Sequence, residues 1–239
     1  MNLILRAACV SDLGLVRENN EDTAYAGTRL LAVADGVGGA PAGELASDIA
    51  IRTLSALEAE GESTDPLAAL DAALDSANLL IRQAAEADRG HEGLGTTLTA
   101  ALLSGDRLAL LHVGDSRGYM LRDGRLEQLT KDETYVQALV DQGVLTPEQA
   151  RTHPHRSLVT QAVQGKALTP ARATLTVAPG DRLLLCSDGL SDVVTDGVIA
   201  QAMQAYAAPQ ECAGQLVKLA LQGGARDNVT AVVADVVAE

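Results

Sequence analysis

Four apolar runs in this chain stop at, or start from, an aspartate, and that pattern narrows its fold more than any other feature. Leu30-Leu31-Ala32-Val33-Ala34 ends at Asp35 and then breaks into Gly36-Val37-Gly38-Gly39. Leu108 to Gly114 runs into Asp115, and Leu183 to Ser187 runs into Asp188-Gly189. Near the end, Asp227-Asn228 precedes Val229 to Val233, with the acid now at the start. Short apolar runs bounded by turn residues predict buried strands. Each acid then stands where a sheet meets solvent. One such aspartate is a turn former or a helix cap; four, two of them followed by Gly, are hard to explain as turns. If the strand ends converge, the carboxylates repel one another unless cations sit between them. Carboxylates, with the open backbone carbonyl of a residue such as Gly36, are the oxygen ligands that hard divalent ions take. The pattern therefore predicts a site for two or more Mg²⁺ or Mn²⁺ ions.

Composition removes several alternatives. The chain has 239 residues, 47% of them hydrophobic, which is a globular composition expected to form one domain, 1–239. Trp and Phe are absent, so Leu, Val, Ile and Ala must build the core, and only Tyr25, Tyr119, Tyr135 and Tyr206 are available for stacking on bases. A net charge of −14 disfavours nucleic-acid backbones and anionic membrane surfaces. Cys9, Cys186 and Cys212 are odd in number and widely spaced, as expected of reduced thiols in a cytoplasmic protein. The amino end does not have the form of a signal peptide, and no apolar run approaches the ~18 residues of a membrane span. The expectation is a soluble, cytoplasmic monomer.

The remaining elements follow from periodicity and caps. Strands are expected near 3–11 and 22–35, and helices from Pro41 to about Ala59 and from Pro66 onward, the second capped by Asp65. In the first, Leu45, Ile49, Leu54 and Leu57 are expected to share a face; in the second, Leu67, Leu70, Leu74, Ala77 and Ile81. Gly95 to Leu129 reads as antiparallel strands, with Asp123-Gly124 as a tight hairpin. Residues 130–156 change character: a short helix over Tyr135–Gln142, then Thr146-Pro147-Glu148-Gln149 in the form of a capping box. This stretch is expected to be a small helical flap beside the site. Strands at Ala171–Val177, Arg182–Ser187 and Val229–Val237 and helices around Gly197–Ala207 and Pro209–Gln222 complete the chain. Hairpins mixed with helix pairs predict an α+β protein with antiparallel sheets covered by helices.

Phosphate chemistry fits the acids. Paired cations lower the pKa of a bound water and screen a phosphate under attack. Arg17 offers a planar fork that matches two phosphate oxygens, and Glu21 and Asp22 beside it could hold waters around a cation. At this point the residues resemble a known family. Arg17, Glu21-Asp22, Ala34-Asp35-Gly36-Val37-Gly38-Gly39, Gly95-Thr96-Thr97, Val113-Gly114-Asp115-Ser116-Arg117, Ser187-Asp188-Gly189-Leu190-Ser191-Asp192 and Arg226-Asp227-Asn228-Val229-Thr230 are similar, in order, to motifs of bacterial members of the protein phosphatase 2C family. The resemblance covers nearly the whole chain. It implies a four-layer sandwich of two antiparallel β-sheets flanked by α-helices. It implies that Asp35 bridges two Mn²⁺ or Mg²⁺ ions with the Gly36 carbonyl on one, that Asp188 and Asp227 complete the first ion's ligands, and that Asp115 and Asp192 hold a third, weaker ion. Arg17 would bind the substrate phosphate, and Glu21 and Asp22 would hold metal waters. The implied substrates are phosphoserine and phosphothreonine proteins, among them a cognate protein kinase.

One position departs from the family. Relatives often carry His after the Gly-Gly pair as a general acid; here it is Ala40, followed by Pro41. Such an acid contributes typically ~10²–10⁴-fold. A catalytically weak or silent phosphatase-like regulator is therefore an alternative, and a small-molecule phosphatase is another, since the site would read phosphate and not the group behind it. No glycine-rich nucleotide loop supports the last.

Overall fold

Leu30, Ala32 and Ala34 face one side of their strand, Leu31 and Val33 the other, and all five are buried. A strand covered on both faces must lie inside a layered molecule, which is why it reads as a continuous apolar run. In the computed structural model of the chain, which describes residues 2–38, 42–61, 63–88 and 93–239, two antiparallel sheets pack face to face. The first orders β1 (Leu3–Asp12), β11 (Val229–Ala238), β10 (Arg182–Cys186), β7 (Arg117–Arg122) and β8 (Arg125–Gln128). The second orders β2 (Asp22–Ala26), β3 (Leu30–Val37), β5 (Leu98–Ser104), β6 (Arg107–Val113) and β9 (Ala171–Thr176), with β4 (Gly95–Thr96) pairing β3.

Three apolar clusters bind the four layers. Leu5, Leu31, Val33, Leu110, Leu185 and Val232 fill the space between the sheets. Leu30, Leu102 and Leu111 meet helices α1 (Ala42–Ser55) and α2 (Pro66–Ala87) on one outer face. Tyr119, Leu184, Val229, Ala231 and Val233 meet α6 (Asp196–Ala205) and α7 (Pro209–Gln222) on the other. A fully buried leucine contributes roughly 1.5–3 kcal/mol, so these three clusters dominate the stability of the layers.

Local signals set the element ends. The Asp65 side chain accepts from the Ala68 N–H at 3.1 Å and Pro66 opens α2. Both halves of the capping box form: the Gln149 N–H donates to Thr146 Oγ1 at 3.3 Å, and the Thr146 N–H to Gln149 Oε1 at 2.8 Å. Asp123 and Gly124 both have positive φ, 49° and 75°, as a two-residue hairpin turn requires. The flap carries α3 (Tyr135–Asp141) and α4 (Pro147–Arg151).

The first helix differs from expectation. It is α-helical only over Ala42–Ser55 and then tightens into a single 3₁₀ turn, Ala56–Glu58. Of the expected face, Leu54 and, in the 3₁₀ turn, Leu57 are buried and Leu45 and Ile49 pack partly buried against the same cluster, joined by the small buried residues Ala46 and Ala50 and by Ile51. Pro41, its expected start, lies outside the described residues, as do Gly39, Ala40 and His91. The one-turn helix α5 (Asp188–Ser191), directly after β10, is not foreseen by periodicity, since four residues carry no period.

Candidate metal centre

The acids meet at one end of the two sheets. Asp22 stands opposite Asp35 in the β2–β3 register. The Asp35 N–H donates to Thr97 Oγ1 at 3.1 Å, and its carbonyl accepts from the Thr97 N–H at 2.8 Å and the Thr96 hydroxyl at 2.9 Å. Its N–H and its carbonyl are thus both held by Thr96-Thr97. Gly36 is wedged against the first turn of α1: a Cβ there would lie 2.4 Å from the Gly43 backbone. A Cβ on Gly43 would in turn meet Glu21 Oε2 at 2.0 Å. Gly36 is required by this close approach of backbone, while at Gly43 it is the Glu21 side chain that would have to move.

Hydroxyls join the sheets beneath this point. Asp22 Oδ2 accepts from Ser187 Oγ and Thr230 Oγ1, each at 2.7 Å. Ser187 precedes α5, so Asp188 begins that helix beside Asp22. Asn228 fixes the loop before β2: its Oδ1 accepts from the Glu21 N–H at 2.9 Å, and its Nδ2 donates to the carbonyls of Leu13 and Asn19. Asp115 is buried after β6, where Gly114 at φ 103° turns the chain.

The charges of these side chains act on one another. Burial, followed by the charges of Asp22, Asp188, Asp115 and Asp227, pushes Asp35 well above the ordinary aspartate range. Burial, then Asp115, Asp192, Asp227 and Asp22, does the same to Asp188. Burial raises Asp22 to about 6 against the hydrogen bonds from Thr230 and Ser187, and raises Asp115 to about 7 with help from Asp132 and Asp192. Burial also raises Glu21, which Arg17 opposes. Two carboxylate oxygens, Asp22 Oδ1 and Asp188 Oδ1, are buried with no hydrogen-bond partner. Such atoms are costly unless something cationic meets them.

The convergence is loose. Among the described residues, no three His, Cys, Asp or Glu side chains are drawn close enough to hold one ion between them. Two arginines take part of the charge instead. Arg17 grips Asp227 with Nε at 2.8 Å from Oδ1 and Nη2 at 2.9 Å from Oδ2. Arg156 Nε donates to Asp192 Oδ2 at 2.9 Å, and Arg151 Nη2 donates to the carbonyls of Ser191 and Asp192. Arg17 is therefore engaged by a carboxylate at the wall of the cavity it lines. The residues that could hold cations are Asp35, Asp188, Asp227, Asp115 and Asp192 with the Gly36 carbonyl. The donors are all hard oxygens, and the two orphaned oxygens fit a divalent ion.

Sequence reasoning misses the flap arginines Arg151 and Arg156, which lie in a run that reads only as a helix end. It also gives no role to Asn228 as the tie between its own loop and the one before β2. The histidines take no part in the cluster among the described residues. His112 is buried between Thr99 Oγ1 and the Lys131 carbonyl, and burial lowers its pKa. His153 and His155 pack against Tyr135, each with ring centroids 6.4 Å from it.

The comparisons with known proteins agree with this geometry. Residues 18–221 match the model of the protein phosphatase 2C family. The chain belongs to that family. It is 54% identical over 237 residues to the serine/threonine protein phosphatase PstP of Mycobacterium tuberculosis (strain ATCC 25618 / H37Rv), covering 99% of this chain and 46% of that protein. It thus spans about half the length of that relative. It is 34% identical to the serine/threonine phosphatase stp of Listeria monocytogenes (serovar 1/2a), covering 92% of this chain and 91% of that protein. The catalytic domain of PstP, solved in complex with two manganese ions, superposes with a TM-score of 0.94 at 52% identity, covering 99% of this chain and 100% of that one. Two antiparallel sheets flanked by helices are therefore the family's architecture as well as this chain's.

Proposed function

We propose that residues 1–239 form a single phosphatase domain that hydrolyses phosphoserine and phosphothreonine in proteins with the aid of Mn²⁺ or Mg²⁺. The observation that carries this reading is the pair of orphaned oxygens, Asp22 Oδ1 and Asp188 Oδ1, buried in a set of mutually repelling acids. Asp35, the Gly36 carbonyl, Asp188 and Asp227 would hold two ions, and Asp115 with Asp192 a third, weaker one. When bound, such ions activate water and screen the phosphate's charge. Arg17 orients the phosphate through its planar fork, for which the substrate competes with Asp227. Asp22 keeps only Oδ1 free, so its role toward ordered water rests on that atom, and Glu21 supplies a second carboxylate beside it. The segment 130–156 forms the flap, tied to the Asp115 turn where the Glu133 carboxylate accepts from the Gly114 N–H at 3.0 Å.

The names of the relatives support phosphorylated proteins as substrates; a cognate protein kinase among them is our extension of that reading. Three free cysteines support a reducing, cytoplasmic setting. Among the described residues no helix is long and apolar enough to cross a membrane. The test is hydrolysis of a phosphothreonine peptide and of p-nitrophenyl phosphate against Mn²⁺ concentration. Turnover that rises with Mn²⁺ and vanishes on chelation is expected. Well-folded protein inert at saturating Mn²⁺ points instead to the silent regulator, for which Ala40 is the motive.

A further inference from the structure

A cavity of about 360 Å³ opens beside the acids, and three arginines line it: Arg17, Arg156 and Arg226. Asp188, Asp192 and Asp227 line it too. Two of the arginines are engaged, Arg17 with Asp227 and Arg156 with Asp192. Arg226 is exposed and makes no hydrogen bond or ion pair with any described residue.

Its backbone, by contrast, is pinned. Ala225 is fully buried, its N–H donates to the Ala220 carbonyl at 3.0 Å, and its carbonyl accepts from the Leu15 N–H at 2.9 Å. On the other side, a Cβ at Gly14, which has φ 77°, would lie 2.0 Å from the Asp227 carbonyl oxygen. The loop before β2 therefore clamps residues 225–227. A free guanidinium on a fixed backbone, at the mouth of a phosphate-reading cavity, is placed to meet an anion that arrives with the substrate. Cations on the three acids would leave the arginines as a positive rim on a chain of net charge −14.

We propose that Arg226 is a specificity-determining residue that reads a second anionic group next to the phosphorylated residue of the substrate, a carboxylate or a further phosphate. This deepens the phosphatase reading above and rests on it. An exposed charge-assisted contact is modest, so the preference it confers is about twofold to fivefold.

The test uses three phosphothreonine peptides that differ in one neighbouring residue: neutral, glutamate or phosphoserine. kcat/KM is measured with Mn²⁺, and binding of the matching non-hydrolysable phosphonate peptides is measured by fluorescence anisotropy. Wild type should favour the anionic peptides about twofold to fivefold, in KM and in affinity and not in kcat. Arg226→Ala should bring the ratio to about one and Arg226→Glu should invert it. The ratio compares peptides on the same protein, so any change in metal loading cancels. The preference should shrink between about 0.05 M and about 0.5 M salt. A gain with glutamate, phosphoserine or both supports the proposal and names the anion. Ratios equal in wild type and both variants overturn it. No turnover of p-nitrophenyl phosphate would sink the phosphatase reading, while the anisotropy ratios would still decide the role of Arg226.

Discussion

The two ends of β10 carry the same residue type in opposite states. At its start, Asp181 is almost wholly buried and satisfied: its carboxylate meets Arg122 Nε at 2.7 Å and the Ala178 N–H at 2.7 Å. Its neighbour Arg182 pairs with Asp235 at 2.6 Å and donates to the Met203 carbonyl at 2.8 Å. Just past the other end, Asp188 keeps a buried oxygen with no partner, as does Asp22 beside it. Burial alone raises Asp181, but Arg122 and the Ala178 N–H overcome it and hold the group below the usual range. At the Asp188 end nothing overcomes burial, and every neighbouring acid adds to it. Where the chain supplies the cation, a buried carboxylate is architecture; where it does not, the carboxylate is poised for a cation from outside.

That contrast can be broken most directly at the unpaired end. Asp35→Asn and Asp188→Asn should each lower Mn²⁺-dependent turnover by more than about 100-fold, since even groups that merely support metal ligands are worth about 10–100-fold. Both variants should remain folded by circular dichroism and melt no lower than wild type without metal, because each removes a repelling charge. Arg17→Ala should lower kcat/KM by about 10–100-fold while barely moving the metal-free melting temperature, since its ion pair with Asp227 is largely solvent-exposed.

At the paired end the pattern should reverse. Asp181→Asn should leave turnover intact and destabilise the fold by about 1–3 kcal/mol in denaturant titration. The cost is limited because the Arg122 side chain is 41% exposed and water can take over. The smallest effect sharpens the sign of the comparison. Asp181 has a lowered pKa, so its contribution is present above ~4 and lost as pH falls through the lowered value. Asp22 and Asp115, raised to about 6 and about 7, contribute stability that is present below ~4 and lost as pH rises through those values. Chelator-treated protein should therefore melt several degrees lower at about pH 8 than at about pH 5, at about 2–4 °C for each kcal/mol lost in a chain of this size. Saturating Mn²⁺ should abolish that loss; a melting temperature flat with pH in chelator would contradict the account of the cluster.

Much of this is legible in the sequence because its causes are local. Asp65-Pro66, the capping box at Thr146 and the Asp123-Gly124 hairpin each act within a few residues, so they can be read directly. The strands ending in Asp35, Asp115 and Asp188 are legible because an unbroken apolar run bounded by turn residues has few other uses. Leucine spacing finds the core-facing side of α1, where Leu54 and Leu57 are buried and Leu45 and Ile49 pack partly buried, but it gives no weight to Ala46 and Ala50, which are fully buried there too. The arginines of the flap escape notice because their partners lie 36 to 41 residues away in the chain.

The amino-acid order by itself determined which residues are acidic, where strands stop, and where the chain must turn, because those depend on side-chain chemistry and neighbours. Only the tertiary structure decided which aspartates find an arginine and which are left with a bare oxygen. That outcome depends on how two sheets register across their interface, and no run of residues encodes such a register locally.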